Sequence, residues 1–164
     1  MRFSAFIMIF VFGSLGATSS LSGQADIQPF TGSSLKSIQK QHRGKPFLLI
    51  LWRTDCPPCR EELASLGAIT QTFAAESRPL LPVVIVATDP IDTRAQLSTI
   101  LQGYDLEASA TWAYADSNTE RLNYAIDPNW YGELPRSYFY SADGNPSGRS
   151  GKLTHELLLQ SLAP

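Results

Sequence analysis

The apolar residues of this chain fall into blocks whose spacing changes from one segment to the next. Two continuous apolar runs, 47–52 and 81–87, are bounded by turn residues, which is typical of buried parallel strands. Between them, apolar residues recur every three or four positions as far as residue 75, which predicts an amphipathic helix. The pattern therefore predicts a strand, a helix and a second strand in succession, the arrangement that builds a parallel sheet.

Shorter patterns extend this arrangement in both directions. They predict strands over 26–30, 111–115, 137–140 and 147–150, and helices over 32–41, 92–102, 118–126 and 153–162. Asp143-Gly144 is a strong hairpin signal between the last two strands, so an antiparallel edge is expected there. We predict one α/β domain with a central mixed β-sheet and helices on both faces.

The first 25 residues have the composition of a segment that is removed rather than folded. Arg2 gives a short positive start, and a dense apolar run follows over 3–15. This order, followed by small residues, predicts a secretory signal peptide over 1–25 and an exported domain over 26–164. The cleavage sites that fit are after Ala17, Ser19 and Ala25. The run is shorter than the about 20 residues of a spanning helix, but an uncleaved membrane anchor is the alternative.

Composition and charge add little to this picture. The chain has 164 residues, of which 43% are hydrophobic and 17% are charged, enough for one domain with its own core. The formal net charge of −2 gives no reason to expect nucleic acid or an anionic membrane as a partner. His42 and His155 are far apart in sequence and neither is near a cysteine, so no zinc site is predicted.

The two cysteines of the chain lie in Cys56-Pro57-Pro58-Cys59, between the first long strand and its helix. In an exported protein two cysteines normally form a structural disulfide, but a loop with two intervening residues constrains the unfolded chain little. The start of a helix also favours a thiolate. The spacing therefore predicts a reversible dithiol–disulfide pair rather than a structural staple.

The residues around the pair are expected to tune the first sulfur. Because the two intervening prolines lack an N–H, the amide of Cys59 is the nearest intrahelical donor to Cys56. Arg53 and Arg60 would favour a thiolate at Cys56. Asp55 either opposes it or only caps the helix. One turn further in, Cys59 is expected to be more buried and less acidic.

Two segments of the chain resemble one family. Residues 52–63, which contain the CxxC motif, resemble the active-site segment of thioredoxin-fold proteins, and most closely the TlpA, ResA and CcmG (DsbE) group of exported thiol-disulfide reductases. Residues 132–140 and the hairpin signal after them are similar to the family's G-x-(V/L)-P-x-(S/T)-(Y/F) segment. The resemblance covers residues 30–162 and implies a thioredoxin-like fold.

The resemblance implies a role for several residues. Cys56 matches the attacking thiol of the family, and Cys59 matches the resolving thiol. Pro135 matches a proline whose preceding peptide bond is cis in this fold, which would set Leu134 beside the sulfurs with its backbone free to pair with an extended substrate. Trp52 matches a tryptophan that shields the site, although ordinary core packing is the alternative.

The chain also departs from the family. Asp55 stands where the family often has a tryptophan, and Ile50 stands where thioredoxins carry a buried aspartate that assists proton transfer. No glutamate near the dithiol is assigned by a motif. The proton acceptor for Cys59 therefore stays open.

The resemblance implies a periplasmic thiol-disulfide reductase that needs no diffusible cofactor and no metal. It would take electrons from a DsbD-like membrane protein, reduce disulfides of exported proteins, for example in cytochrome c maturation, and act as a monomer. A copper(I) chaperone that uses the two thiolates is an alternative, and so is an oxidase or isomerase of the same fold. The direction of the reaction depends on the reduction potential of the cysteine pair, which the sequence does not fix.

Overall fold

The structure, a computed structural model, describes residues 25–163. The predicted signal peptide, apart from residue 25, lies outside the described residues. Within 25–163, no helix is both long enough and apolar enough to cross a membrane.

Residues 25–163 form six strands and five α-helices in the predicted alternating order. In chain order they are β1 (Ile27–Phe30), α1 (Ser34–Gln41), β2 (Phe47–Trp52), α2 (Pro57–Ala75), β3 (Val83–Pro90), α3 (Arg94–Gln102), β4 (Ala110–Tyr114), α4 (Thr119–Ile126), β5 (Arg136–Tyr140), β6 (Pro146–Ser150) and α5 (His155–Leu162). A single 3₁₀ turn, Ile91–Thr93, joins β3 to α3. The predicted strand over 81–87 begins two residues later, because the amide of Leu81 donates to the carbonyl of Leu162 in α5 instead of entering the sheet.

All six strands belong to one sheet in the order β1-β4-β3-β2-β5-β6. The four strands from β1 to β2 pair in parallel, and β5 and β6 pair antiparallel. The mixed sheet with an antiparallel edge is therefore confirmed. Every residue of β2 is buried, since this strand lies between β3 and β5 and is covered on both faces.

Helices cover both faces of the sheet, as predicted. Because side chains alternate along a strand, Leu48 and Ile50 enter one core cluster with residues of α2, α3 and α5. Leu49 and Leu51 enter the other cluster, with residues of α1 and α4. The two clusters hold β2 rigidly in place.

The topology separates two ends of the molecule. Because β2 and β3 are parallel, their carboxyl ends lie at the same end of the sheet, where the CxxC segment begins. The turn between α1 and β2 and the hairpin between β5 and β6 lie at the opposite end, since Phe47 pairs with Tyr140. The six residues of β2 put about 20 Å between these ends.

Candidate redox site

Cys56 occupies the N-cap position of α2. Its backbone is extended, with φ −105° and ψ 97°, and Pro57 is the first residue of the helix, where a missing N–H costs nothing. The Cys56 Sγ atom accepts a hydrogen bond of 3.3 Å from the amide of Cys59. The sulfur therefore lies at the positive end of a 19-residue helix, where a thiolate is stabilised.

The two sulfurs differ in their access to solvent. They form a disulfide with a Cα–Cα distance of 5.3 Å. Cys56 is half-buried at the surface, whereas Cys59 is 1% exposed and belongs to the core cluster of α2. An incoming sulfur reaches Cys56 and not Cys59, which supports the roles of attacking and resolving thiol that the resemblance implies.

A loop of three residues connects β2 to Cys56, and two carboxylates hold it. Asp89, at the end of β3, accepts hydrogen bonds from the Thr54 amide at 3.1 Å and from the Thr54 hydroxyl at 2.6 Å. Asp55 pairs with Arg53 through two hydrogen bonds of 2.5 and 3.1 Å, and both side chains are exposed. Because the two charges neutralise each other, their expected opposite effects on a Cys56 thiolate largely cancel. Asp55 does not cap α2, since Cys56 does.

The peptide bond between Leu134 and Pro135 is cis. Pro135 is buried and Leu134 is half-buried at the surface beside the cysteine pair. Leu134 and Cys56 line one groove of about 430 Å³, together with Arg53 and Tyr131. Tyr131 is 94% exposed and forms an open wall of this groove. The segment before the proline therefore lies next to the exposed sulfur.

Trp52 lies in the core rather than over the site. Its side chain is fully buried in the same cluster as Cys59 and does not line the groove. Pro57 and Pro58 are exposed at the start of α2. Trp52 therefore packs in the core, as the core-packing alternative expects, and does not cover the groove next to Cys56.

Glu62 is a candidate functional residue that no sequence motif identified. It lies one turn after Cys59 on the same side of α2, where residues three apart are neighbours, and it is 1% exposed. One carboxylate oxygen accepts a 2.9 Å hydrogen bond from the amide of Leu153, and the other has no partner within the described residues. Burial raises the pKa of Glu62 to about 7, against the opposing effects of the Leu153 amide and of Lys152. A carboxyl group with this pKa both takes and gives a proton near neutral pH.

A signal for Glu62 exists in the sequence. The helical period that buries Cys59, Leu63 and Leu66 also turns residue 62 inward. Ile50, which stands where thioredoxins carry a buried aspartate, is 1% exposed and apolar. The buried carboxyl group of this site therefore comes from helix α2 and not from strand β2.

A polar network holds the loop that carries the cis proline. Arg136 donates to the Asp127 carboxylate at 3.1 Å and to the Ser150 hydroxyl at 2.6 Å, and the hydroxyl of Tyr138 donates to Asp127 at 3.0 Å. The Asn129 amide, with Tyr138 and Arg136, holds the pKa of Asp127 below its usual value. Arg136 is therefore a structural residue of this loop.

Within residues 25–163 there is no group of three or more His, Cys, Asp or Glu side chains placed to hold a metal ion. Among the described residues, the two thiolates would be the soft ligands at this site if the disulfide were reduced.

No protein-family model and no curated protein matches this chain. Several solved structures are similar to it in fold. A secreted Mycobacterium tuberculosis disulfide oxidoreductase homologous to E. coli DsbE is 21% identical, with a TM-score of 0.56 over 74% of this chain and 83% of that one. A thiol:disulfide interchange protein of the thioredoxin family from Chlorobium tepidum is 20% identical, with a TM-score of 0.53 over 75% and 83%. A secreted thiol-disulfide isomerase from Corynebacterium glutamicum is 16% identical, with a TM-score of 0.56 over 74% and 71%. The predicted thioredoxin-like fold is therefore confirmed.

Proposed function

We propose that this thioredoxin-fold protein is an exported thiol-disulfide oxidoreductase that reduces disulfides of other exported proteins through Cys56 and Cys59. The observation that carries the proposal is the asymmetry of the pair: the Cys56 sulfur opens into a groove, whereas Cys59 is buried, one helical turn before the buried carboxyl group of Glu62 on α2. A structural disulfide needs neither the groove nor the buried carboxyl group.

The reaction follows from this asymmetry. In the reduced protein the Cys56 thiolate attacks one sulfur of a substrate disulfide, and the other substrate sulfur leaves as a thiolate that takes up a proton. Cys59 then loses its proton and attacks the Cys56 sulfur, which releases the second substrate sulfur. Two electrons pass to the substrate, and the protein is left with the Cys56–Cys59 disulfide, the state in the structure.

Glu62 supplies the proton acceptor that the second step requires. As a neighbour of Cys59 along α2, with an unpartnered oxygen and a raised pKa, it takes the proton of the buried thiol when that thiol attacks. In the opposite direction, the same group returns the proton when the disulfide of the protein is reduced.

The physiological setting is the finer part of the proposal. The apolar start of the sequence supports export to the periplasm, and solved structures of similar fold include secreted proteins. A DsbD-like membrane protein would return the electrons, and cysteines of cytochrome c precursors are one candidate substrate. We expect no diffusible cofactor, because the redox group consists of the protein's own sulfurs.

The reduction potential of the Cys56–Cys59 pair tests the direction of the reaction. Equilibration of the protein in dithiothreitol or glutathione buffers, followed by thiol alkylation, gives this value. We expect a potential near about −270 mV and reduction of insulin disulfides, as for thioredoxin. A value near about −120 mV would instead identify an oxidant or isomerase. Stoichiometric Cu(I) binding without insulin reduction would favour the copper chaperone.

The variant Glu62→Gln is expected to separate catalysis from stability. At pH 7 the rate at which Cys59 resolves the mixed disulfide should fall at least about tenfold, because a positioned base contributes this much or more. The stability of Glu62→Gln, in contrast, should rise relative to the wild type at high pH. Since the folded-state pKa of about 7 lies above the ordinary value of 4.5, the wild type loses stability as the pH rises from below 4.5 through 7. The free energy of unfolding of Glu62→Gln should thus exceed that of the wild type at pH 8 by up to about 3 kcal/mol.

The matched control is Glu61→Gln. Glu61 is the adjacent carboxylate, but it is exposed and pairs with Lys152 at 2.5 Å. Stopped-flow measurement of resolution and denaturant unfolding at pH 5 and pH 8 compare the two variants. Equal rates and equal pH dependence in both would remove Glu62 from the mechanism.

A further inference from the structure

A second cavity, of about 410 Å³, continues the groove that holds Cys56. Three residues line both the groove and this cavity: Thr88, Tyr114 and Thr119. The rest of the lining comes from the end of β3, from the 3₁₀ turn after it and from the loop between β4 and α4. We call this cavity the apolar pocket and define it by Pro90, Ile91 and Ala115.

Two hydroxyl groups of the shared lining are bonded elsewhere in the protein. The hydroxyl of Thr88 donates to the carbonyl of Trp52 at 3.4 Å. The hydroxyl of Tyr114 donates to the side-chain oxygen of Asn123 at 2.7 Å. The walls of the pocket therefore present mainly carbon atoms, and such walls favour an apolar occupant.

The carboxylates around the pocket exclude an acidic occupant. Asp116 pairs with Arg121 and accepts a 2.9 Å hydrogen bond from the amide of Asn118. Asp92 is exposed, and within residues 25–163 no cation pairs with it. Among the same residues, no lysine or arginine is part of the lining. The pocket therefore repels carboxylates and small anions.

The distance of the pocket from Cys56 determines which part of a substrate reaches it. The neighbouring strands β2, β3 and β4 are parallel, so their carboxyl ends lie side by side. Cys56 follows β2, whereas the pocket lies at the ends of β3 and β4. Two strand spacings are about 10 Å, which an extended chain spans in about three residues. An extended segment that reacts at Cys56 therefore brings a side chain from about three residues away to the pocket.

We propose that the apolar pocket binds a large apolar side chain of the substrate protein, about three residues from the cysteine that reacts with Cys56. Folded proteins usually bury such side chains, so the pocket selects cysteines in extended, incompletely folded segments. The proposal rests on the proposed function, because it names the substrate segment of the same site. It does not depend on the direction of the reaction, since the same segment binds as a disulfide or as a thiol.

Reduction of short peptide disulfides by the full chain, reduced and then freed of dithiothreitol, tests the proposal. Glycine–serine peptides carry a central cysteine joined to nitrothiobenzoate, and either leucine or serine at the stated distance before or after it. The Cys56 thiolate attacks the peptide sulfur, and coloured nitrothiobenzoate leaves as a thiolate. Cys59 then attacks the Cys56 sulfur and releases the peptide thiol. Each rate is divided by the rate with the symmetrical nitrothiobenzoate disulfide, which has no peptide.

Two variants alter the pocket in different ways. Ile91→Asn makes its wall polar, and Ala115→Met fills it, so the test does not depend on the folding of one variant. The matched control is Ile100→Asn. Like Ile91, Ile100 is a half-buried isoleucine that packs on the core cluster of α2, α3 and α5, but it lines neither the pocket nor the groove.

In the wild type, leucine on one side of the cysteine should raise the relative rate at least about tenfold over serine, because its side chain leaves water. Ile91→Asn and Ala115→Met should lose most of this gain, and Ile100→Asn should keep it. No gain in the wild type, or an equal gain in all four proteins, would overturn the proposal and leave the proposed function intact. A change of oligomeric state in Ile91→Asn with the gain retained would assign the pocket to a second copy of the chain and also overturn it. A wild type that does not react even with the small disulfide would instead overturn the proposed function.

Discussion

Replacing Cys56 by serine is expected to reduce disulfide exchange to the uncatalysed background, whereas replacing Cys59 by serine is expected to stop the reaction one step later. The reason is the difference in exposure: Cys56 is half-exposed at the N-cap of α2, and Cys59 is 1% exposed. Without Cys56 no sulfur reaches the substrate. Without Cys59 the mixed disulfide between Cys56 and the substrate has no internal thiol to resolve it.

Mass spectrometry of the non-reduced reaction mixture distinguishes the two variants. Cys59→Ser should accumulate a species of protein plus substrate that dithiothreitol releases, and Cys56→Ser should form no such adduct. Thermal unfolding of both variants, compared with the reduced wild type, shows how much of any loss of activity comes from a loss of stability, which is expected to be larger at the buried Cys59. Adducts in Cys56→Ser and none in Cys59→Ser would show that the two cysteines have the opposite roles. If both variants kept the activity of the wild type, the proposed function would be contradicted.

Replacing Gly67 by alanine is expected to lower the free energy of unfolding by about 1–3 kcal/mol, although alanine is the better helix former. Gly67 lies buried in the middle of α2, and an added Cβ there would overlap the backbone carbonyl oxygen of Tyr104, with the carbonyl carbon at 3.0 Å. Backbone atoms cannot rotate away as a side chain does. The gain in helix propensity, at most about 1 kcal/mol, is smaller than the cost of separating α2 from the turn after α3.

Thermal unfolding measures this effect, and Gly103→Ala is the matched control. At Gly103 a Cβ would meet its nearest atom, the carbonyl oxygen of Ile100, at 3.4 Å, which is ordinary contact. The melting temperature of Gly67→Ala should fall by about 3–10 °C, whereas Gly103→Ala should stay near the wild type. An equal or higher melting temperature for Gly67→Ala would show that the turn moves freely away from α2.

Local patterns were sufficient to predict most of the sheet. The apolar run of β2 has no polar interruption, because the strand is covered on both faces. This pattern lies within one short segment, so it identifies the strand without knowledge of its partners. The period of α2 is equally local. Boundaries were less accurate where a distant contact decides them. The terminal helix begins at His155 rather than at residue 153, since Thr154 caps it and Leu153 is held by Glu62.

The cysteine pair and Pro135 were found from motifs, but their supporting residues were not. The burial of Glu62 depends on Leu153, which lies 91 residues away in sequence. Arg136 follows the proline and looks like a solvent-exposed cation in the sequence, yet it is largely buried against Asp127 and Tyr138. Such contacts exist only once the strands are paired, so no local pattern predicts them.

The order of the strands also affects how copies of this protein meet. β1 and β6 are the two edges of the sheet, and they are short, with four and five residues. Each edge contains a proline, Pro29 in β1 and Pro146 in β6, which lacks the N–H that a further strand would bind. Growth of the sheet from one molecule into the next is therefore disfavoured at both edges. Under the proposed function, which brings the protein into contact with disulfides of other chains, these edges disfavour its incorporation into aggregates of those chains.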